Sequence, residues 1–331
     1  MSHPLPALTI VIVTLGGIAE LAVPLPGLLS QTIAKRIELI IVAADGTVSS
    51  ADLASLNGFH SVRCVSLAQI GNRASDAAAG VAVASAPFVG LHENHTRAEP
   101  YTYERLLAAF QPMDAALAPV FYPANGEMSW GVAMASIAHA EAAPPNDDGA
   151  KSALVLHHAV YRTNLVKPFG KTLRNEPKVQ SELLAAGHAL RYVPQTVVWH
   201  LNEARPNRVL SDSFALGRAF GYSRSRTIGL PERAGRALLV PAIVGLTLLR
   251  AFGAARRMAI DPFALLRATP PVALAATAFA MGEVRGYFDR QSAWTALREL
   301  HEFHVRGRLA GRAPAALWLS EAIAAMPDGA P

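Results

Sequence analysis

Cysteine is almost missing from this chain: among 331 residues Cys64 stands alone. One thiol cannot make an intrachain disulfide, a CxxC motif or a cysteine zinc cluster, so a reducing compartment is expected. Charge is sparse as well. Asp, Glu, Lys and Arg make up 17% of the residues against 51% hydrophobic ones, so some apolar surface is expected to meet a partner or a bilayer. No G-x-G-x-x-G follows the first apolar run, which disfavours a Rossmann dehydrogenase. The opening MSHPLPALTIVIVT lacks a basic n-region and a small-residue cleavage site. It reads as a buried strand, and export is not expected.

What is present is a basic excess. A net charge of +5 suits an anionic partner such as a nucleoside diphosphate or an acidic lipid headgroup. The arginines gather from Arg205 to Arg257 and flank apolar runs instead of aromatic platforms, which favours a membrane surface over nucleic acid.

Leu8–Thr14 and Ile37–Val42 are short β-branched runs, each followed by glycine, with a crossover between them long enough for a parallel pair. Pro24 and Pro26 interrupt the helical pattern over 18–33. Ala74–Ala86 is rich in small residues and reads as a helix lying close on a sheet. Pro87–Leu91 reads as a buried strand that delivers His92-Glu93-Asn94-His95 to its C-terminal end, the edge where open α/β sheets bind ligands. A short helix over Tyr103–Phe110 and a strand over Ala115–Tyr122 follow. Residues 143–151 read as a mobile loop and Leu154–Arg162 as extended. Val179–Ala186 reads as a helix closed by Gly187, and Leu190–His200 as a strand.

Beyond residue 207 the pattern changes. Ala237–Leu249 and Ala268–Gly282 are 13 and 15 residues without a charge, each bounded by charged residues. Both are shorter than the roughly 20 residues of a simple span, and Pro241, Pro270 and Pro271 weaken one further. Interfacial or re-entrant helices and an ordinary buried helical hairpin are both open readings.

Three constellations could carry chemistry. Glu93 and His95, two apart on a strand-end turn, can converge on one divalent cation, and Mn2+ accepts such mixed ligation; the plain alternative is a solvated polar loop. Glu176 opens a helix, where a carboxylate complements the dipole. His200 ends a strand, and His157-His158 is equally ambiguous.

Taken in order, LTIVIVT, IELIIVAADGT, APFVGLHENHTRAEP with YERLLAAF, LHHAVYRTNL and NEPKVQSELLAAGHALRYVPQTVVWH resemble the family 2 glycosyltransferases over roughly residues 7–225. The resemblance implies an α/β fold of the GT-A type, with a mostly parallel central sheet flanked by helices over residues 1–206 and a helical, partly apolar appendage over 207–331. It places Glu93 and His95 on the outer positions of the metal-binding DxD motif, with Asn94 between them and His where the family has an acid. Glu176, Val179, Leu183 and Gly187 meet the spacing of the ED motif, so Glu176 inherits the role of catalytic base. Thr14 and Asp45 match positions that hold the nucleotide base and ribose. Asp76 lies where members have an Arg-Asn pair, and His200 matches a histidine that approaches the metal or diphosphate. ALGRAFGYSRSR and MGEVRGYF resemble an apolar C-terminal region of some bacterial members, where Arg218 could meet a diphosphate oxygen.

The expectation is thus an inverting transfer of a sugar from a nucleoside diphosphate sugar to a saccharide or lipid acceptor. It would need Mn2+ or Mg2+ and would serve cell-surface polysaccharide or glycolipid synthesis. The chain is expected in the cytoplasm, at the cytoplasmic face of the inner membrane, in peripheral contact with it. The alternative is a non-catalytic relative that binds nucleotide sugar or a partner without transfer.

Overall fold

The computed structural model describes residues 5–70, 73–123, 158–174, 176–200, 206–257 and 261–289. The loop expected over 143–151 and the first part of the extended segment 154–162 lie outside these residues. The described residues fall into two compact units, 5–122 with 158–200, and 206–289.

The first unit is built on one eight-stranded sheet. Its strands are β1 (Leu8–Thr14), β2 (Ile37–Ala44), β3 (Ser61–Leu67), β4 (Phe88–His92), β5 (Thr96–Ala98), β6 (Asp114–Pro123), β7 (Val160–Arg162) and β8 (Ala189–His200). They stand in the order β3-β2-β1-β4-β7-β6-β8-β5. β1 is buried along its whole length, as its unbroken β-branched run requires of a strand covered on both faces. It pairs in parallel with β2 and β4, and β2 pairs in parallel with β3. The other half departs from the expected mostly parallel sheet. β7 is antiparallel to both β4 and β6, and β5 is antiparallel to β8, so the sheet is mixed.

The chain passes from the end of β4 to the start of β5 through residues 93–95 alone, a reach of about 14 Å. In a flat sheet β4 and β5 would be four strand spacings apart, about 19 Å. The sheet therefore curls, and the curl gathers the ends of β4, β6 and β8 and the start of β7 at one rim.

Helix α1 (Pro24–Leu29) begins on Pro24, so the proline that delays the helix also opens it. α2 (Ser50–Ala54) carries a capping box between Ser49 and Asp52. α3 (Arg73–Val83) packs so closely that a Cβ on Gly80 would fall 2.5 Å from Val11 Cγ1, which is why its small residues are there. α4 (Thr102–Ala109) and α5 (Thr163–Val166) are short. α6 (Glu176–Ala185) stops before Gly187, whose φ is 85°.

At the end of the sheet opposite that rim, Glu38 is buried. It accepts from Thr9 Oγ1 (2.5 Å) and the Ser85 backbone N–H (2.8 Å), and pairs with Arg63. Burial alone would raise its pKa. The hydrogen bonds from Thr9 and Ser85 and the charge of Arg63 outweigh burial and hold it below the ordinary value.

The second unit is helical: α7 (Pro206–Ser225), α8 (Leu230–Leu238), α9 (Val240–Arg257) and α10 (Pro262–Tyr287). α7 and α10 approach backbone to backbone. A Cβ on Gly217 or Gly221 would stand 2.0 Å from the carbonyl of Phe279 or Glu283, and one on Gly282 or Gly286 the same distance from Phe214 or Arg218. Both helices carry the small-xxx-small spacing that permits such a crossing.

α10 runs unbroken through Pro270 and Pro271, and absorbs the whole of the apolar run over 268–282. By length and composition it could cross a membrane, with a mean hydropathy of 1.4 over an 18-residue stretch. Leu230–Leu238 with Val240–Gly253 passes the same test only across a 65° bend. Leu230, Leu238, Leu249, Phe263 and Leu266 are 67–84% exposed.

Candidate functional site

β4 ends at His92, and the next three residues turn the chain into β5. The Glu93 carbonyl is fixed from two sides: His92 Nδ1 lies 2.8 Å from it, and Thr96 Oγ1 donates to it at 3.1 Å. The turn is thereby anchored at both ends by the strands it joins. The antiparallel register of β5 with β8 sets Thr96 opposite His200. That pairing brings the last residue of β8 beside His95, which immediately precedes Thr96.

Glu93, His95 and His200 consequently meet. His95 Nε2 is 3.1 Å and His200 Nε2 is 3.0 Å from the same oxygen, Glu93 Oε2, and one potential ligand atom from each residue lies within 4.8 Å of the others. The two imidazole rings stand edge to face, 4.7 Å apart. His95 Nδ1 is 3.1 Å from Asn94 Oδ1, so the residue between the two outer positions orients the histidine. Glu93 and Asn94 are buried, whereas His95 and His200 are half-buried, which leaves the ligand atoms an approach from outside.

Two further histidines stand behind this group. His158 Nε2 lies 4.0 Å from Glu93 Oε2, and its ring meets that of His92 edge to face at 4.3 Å. His158 is the one described non-glycine residue with positive φ, 73°. It is held there by its backbone N–H, which donates to Leu91 O at 3.0 Å. A non-glycine residue in this region stores about 1–3 kcal/mol and is met where a site fixes it. Phe121, near the end of β6, packs against both His158 and His200. The centre therefore has an imidazole and aromatic wall.

Thr14 ends β1 in the same rim. Its hydroxyl reaches Gly17 O and Glu20 Oε2, each at 2.9 Å, and Glu20 also accepts from the Leu15 backbone N–H. Glu20 is buried and ties down the turn after β1. No feature of the sequence pattern marks it, because its partners are a backbone group and a hydroxyl within six residues. Asp45 follows β2, is exposed, and donates its backbone N–H to Leu67 O at 2.9 Å. Gly17 presses the first of these turns against the second: a Cβ on it would fall 2.3 Å from Thr47 O. Asp76 sits in the first turn of α3, half-buried.

Glu176 is the first residue of α6, and its side chain lies outside the described residues. α6 leads through Gly187 to β8, whose first residue donates to Met113 O at the end of the sheet away from the site. Gln180, one turn after Glu176, is buried and donates to the hydroxyl of Tyr161 in β7 at 3.1 Å. Arg218 belongs to the second unit, where it pairs with Asp289, and that hydrogen bond raises its pKa further.

No family model matches the chain, and no curated protein matches it. Among solved structures it is similar to the mannosyltransferase PcManGT from Pyrobaculum calidifontis, solved in complex with GDP-Man and Mn2+. The TM-score is 0.42 and the identity 16%, over 97% of this chain and 80% of that one.

Proposed function

We propose that the chain is a glycosyltransferase that moves a sugar from a nucleoside diphosphate sugar to an acceptor hydroxyl with inversion. The observation that carries this reading is the convergence of Glu93, His95 and His200 at the rim where β1 ends on Thr14 and β2 leads into Asp45. A carboxylate with two imidazoles fits a divalent cation, and a cation at a sheet rim beside two strand-end turns fits a diphosphate. A bound cation would supply Lewis-acid stabilisation of the charge that builds on the departing diphosphate. Thr14 and Asp45 would hold the nucleoside, and Asn94 would orient His95. Asp76, in the first turn of α3, would touch the donor. Arg218 is held by Asp289 within the second unit and is given no part in the reaction.

In the reaction, Glu176 takes the proton of the acceptor hydroxyl, and the acceptor oxygen forms a bond to the anomeric carbon. The bond from that carbon to the diphosphate oxygen breaks, and its electron pair leaves with the nucleoside diphosphate. The exposed leucines and Phe263 of the second unit, interleaved with Arg236, Arg250 and Arg267, support contact with an anionic membrane surface. A lipid or saccharide acceptor at the cytoplasmic face, in glycolipid or polysaccharide synthesis, is the reading consistent with that.

The test is release of nucleoside diphosphate from a panel of nucleotide sugars with added acceptors. Wild type should turn over at least one donor, and Glu176→Gln should lower turnover about 100-fold or more while still binding nucleotide. Nucleotide binding with no transfer or hydrolysis of any donor would instead favour a binding protein on the same fold.

A further inference from the structure

The donor set of the rim centre also bears on which ion it takes. We propose that Glu93, His95 and His200 form a two-histidine, one-carboxylate centre that selects a nitrogen-accepting first-row transition ion, of the Co2+ or Zn2+ class, over Mg2+. This deepens the metal half of the function proposed above and does not depend on sugar transfer.

Three observations carry it. The first is spacing. Ligand atoms about 2.1 Å from one ion stand about 3.0 Å apart at octahedral angles and about 3.4 Å apart at tetrahedral ones. The separations from Glu93 Oε2 are 3.1 Å to His95 Nε2 and 3.0 Å to His200 Nε2.

The second is the direction of the His95 ring. His95 Nδ1 lies 3.1 Å from Asn94 Oδ1, which leaves Nε2 as the nitrogen that faces Glu93 Oε2. In the tautomer with its hydrogen on Nδ1, Nε2 offers its lone pair to a cation shared with the carboxylate. A histidine held through its other nitrogen in this way is the usual preparation of a metal ligand.

The third is the surrounding chemistry. Beyond the three ligands stand the His158 and His92 rings and Phe121. Mg2+ binds oxygen and keeps several of its waters, whereas imidazole suits Zn2+ and Co2+ and follows the order in which Mg2+ and Mn2+ are weakest. Two nitrogens among three side-chain donors therefore separate the two classes. One carboxylate and two imidazoles leave positions on the ion for oxygens of a diphosphate.

The experiment is a titration of the metal-free full chain with Co2+, read by visible ligand-field absorption. Bands should grow to saturation at one equivalent and vanish on adding one equivalent of Zn2+. They should persist in about 100-fold excess of Mg2+. His95→Ala and His200→Ala should each weaken Co2+ binding about 10-fold or more and change the band shape, with circular dichroism unchanged. Displacement of Co2+ by Mg2+ at comparable concentration would overturn the proposal, and so would bands that are unaltered in both variants. UDP or GDP is then added to the Co2+-loaded protein. A shift of the bands supports the diphosphate reading. Bands that pass every metal test and ignore both nucleotides would count against sugar transfer and leave the ion assignment standing.

Discussion

Glu93 and His200 are separated by 107 positions in the chain, yet His200 Nε2 lies 3.0 Å from Glu93 Oε2. The contact follows from sheet geometry. A three-residue turn carries the chain from β4 to β5, the sheet curls to allow it, and the pairing of Thr96 with His200 sets the last residue of β8 over the turn. A shift of that register by one residue would turn His200 to the other face and dismantle the centre.

Gly17 is the joint between the turns that carry Thr14 and Asp45. Its φ of 78° and the 2.3 Å gap to Thr47 O both refuse a side chain. Gly17→Ala should lose about 1–3 kcal/mol by thermal or denaturant unfolding and should weaken nucleotide binding. A variant as stable as wild type and with the same affinity would show that the two turns are not coupled there.

Glu38 gives the first unit an acid limit. Its folded-state pKa is depressed, so its contribution is complete above the ordinary carboxylate value, about 4.3. It fades as pH falls through the lower folded-state value. Thermal unfolding followed from pH 7 to pH 3 should show wild type losing stability across that window. Glu38→Gln should be less stable at pH 7 and show a smaller loss on acidification. Parallel curves for the two proteins would contradict this assignment.

Gly282 and Gly245 make a matched pair in the second unit. A Cβ at 282 would lie 2.0 Å from Phe214 O, whereas one at 245 meets nothing within 4 Å. Gly282→Ala should destabilise by about 1–3 kcal/mol through overpacking, and Gly245→Ala should be neutral or stabilising by up to about 1 kcal/mol. Equal effects at both positions would mean that α7 and α10 do not cross so closely.

Much of this was legible in the residues, and the exceptions have physical causes. Leu8–Thr14 and Ile37–Val42 announce buried parallel strands because every position except Glu38 is apolar or β-branched. The parallel half of the sheet is therefore readable, down to the strand that delivers Glu93. In the antiparallel half β6 and β8 are readable as strands over 115–122 and 190–200, and β7 falls in the segment read as extended, but the pairing directions are not readable. β5 is three residues long, too short for a period, and in the parallel half β3 is a half-buried edge strand that the pattern does not mark. Pro270 and Pro271 argue locally against a continuous helix, yet α10 passes through them where it packs closely on α7. At the site, the turn at 93–95 could be found from the sequence. Glu20 could not, since its carboxylate serves a backbone N–H and a hydroxyl that no spacing rule records. His158 is one of two adjacent candidates in the sequence, and its Nε2 lies 4.0 Å from Glu93 Oε2.

The most direct test of the central claim, that Glu93, His95 and His200 hold a cation that in turn holds a diphosphate, is calorimetry with UDP and GDP. Titrations should be run with and without a divalent ion, for wild type and for Glu93→Gln. Wild type is expected to bind at least one of the two about 10-fold or more tightly with the ion than in EDTA, and the variant is expected to lose that difference while keeping its fold. Wild-type affinity that is the same in EDTA, or an ion effect that survives Glu93→Gln, would contradict it.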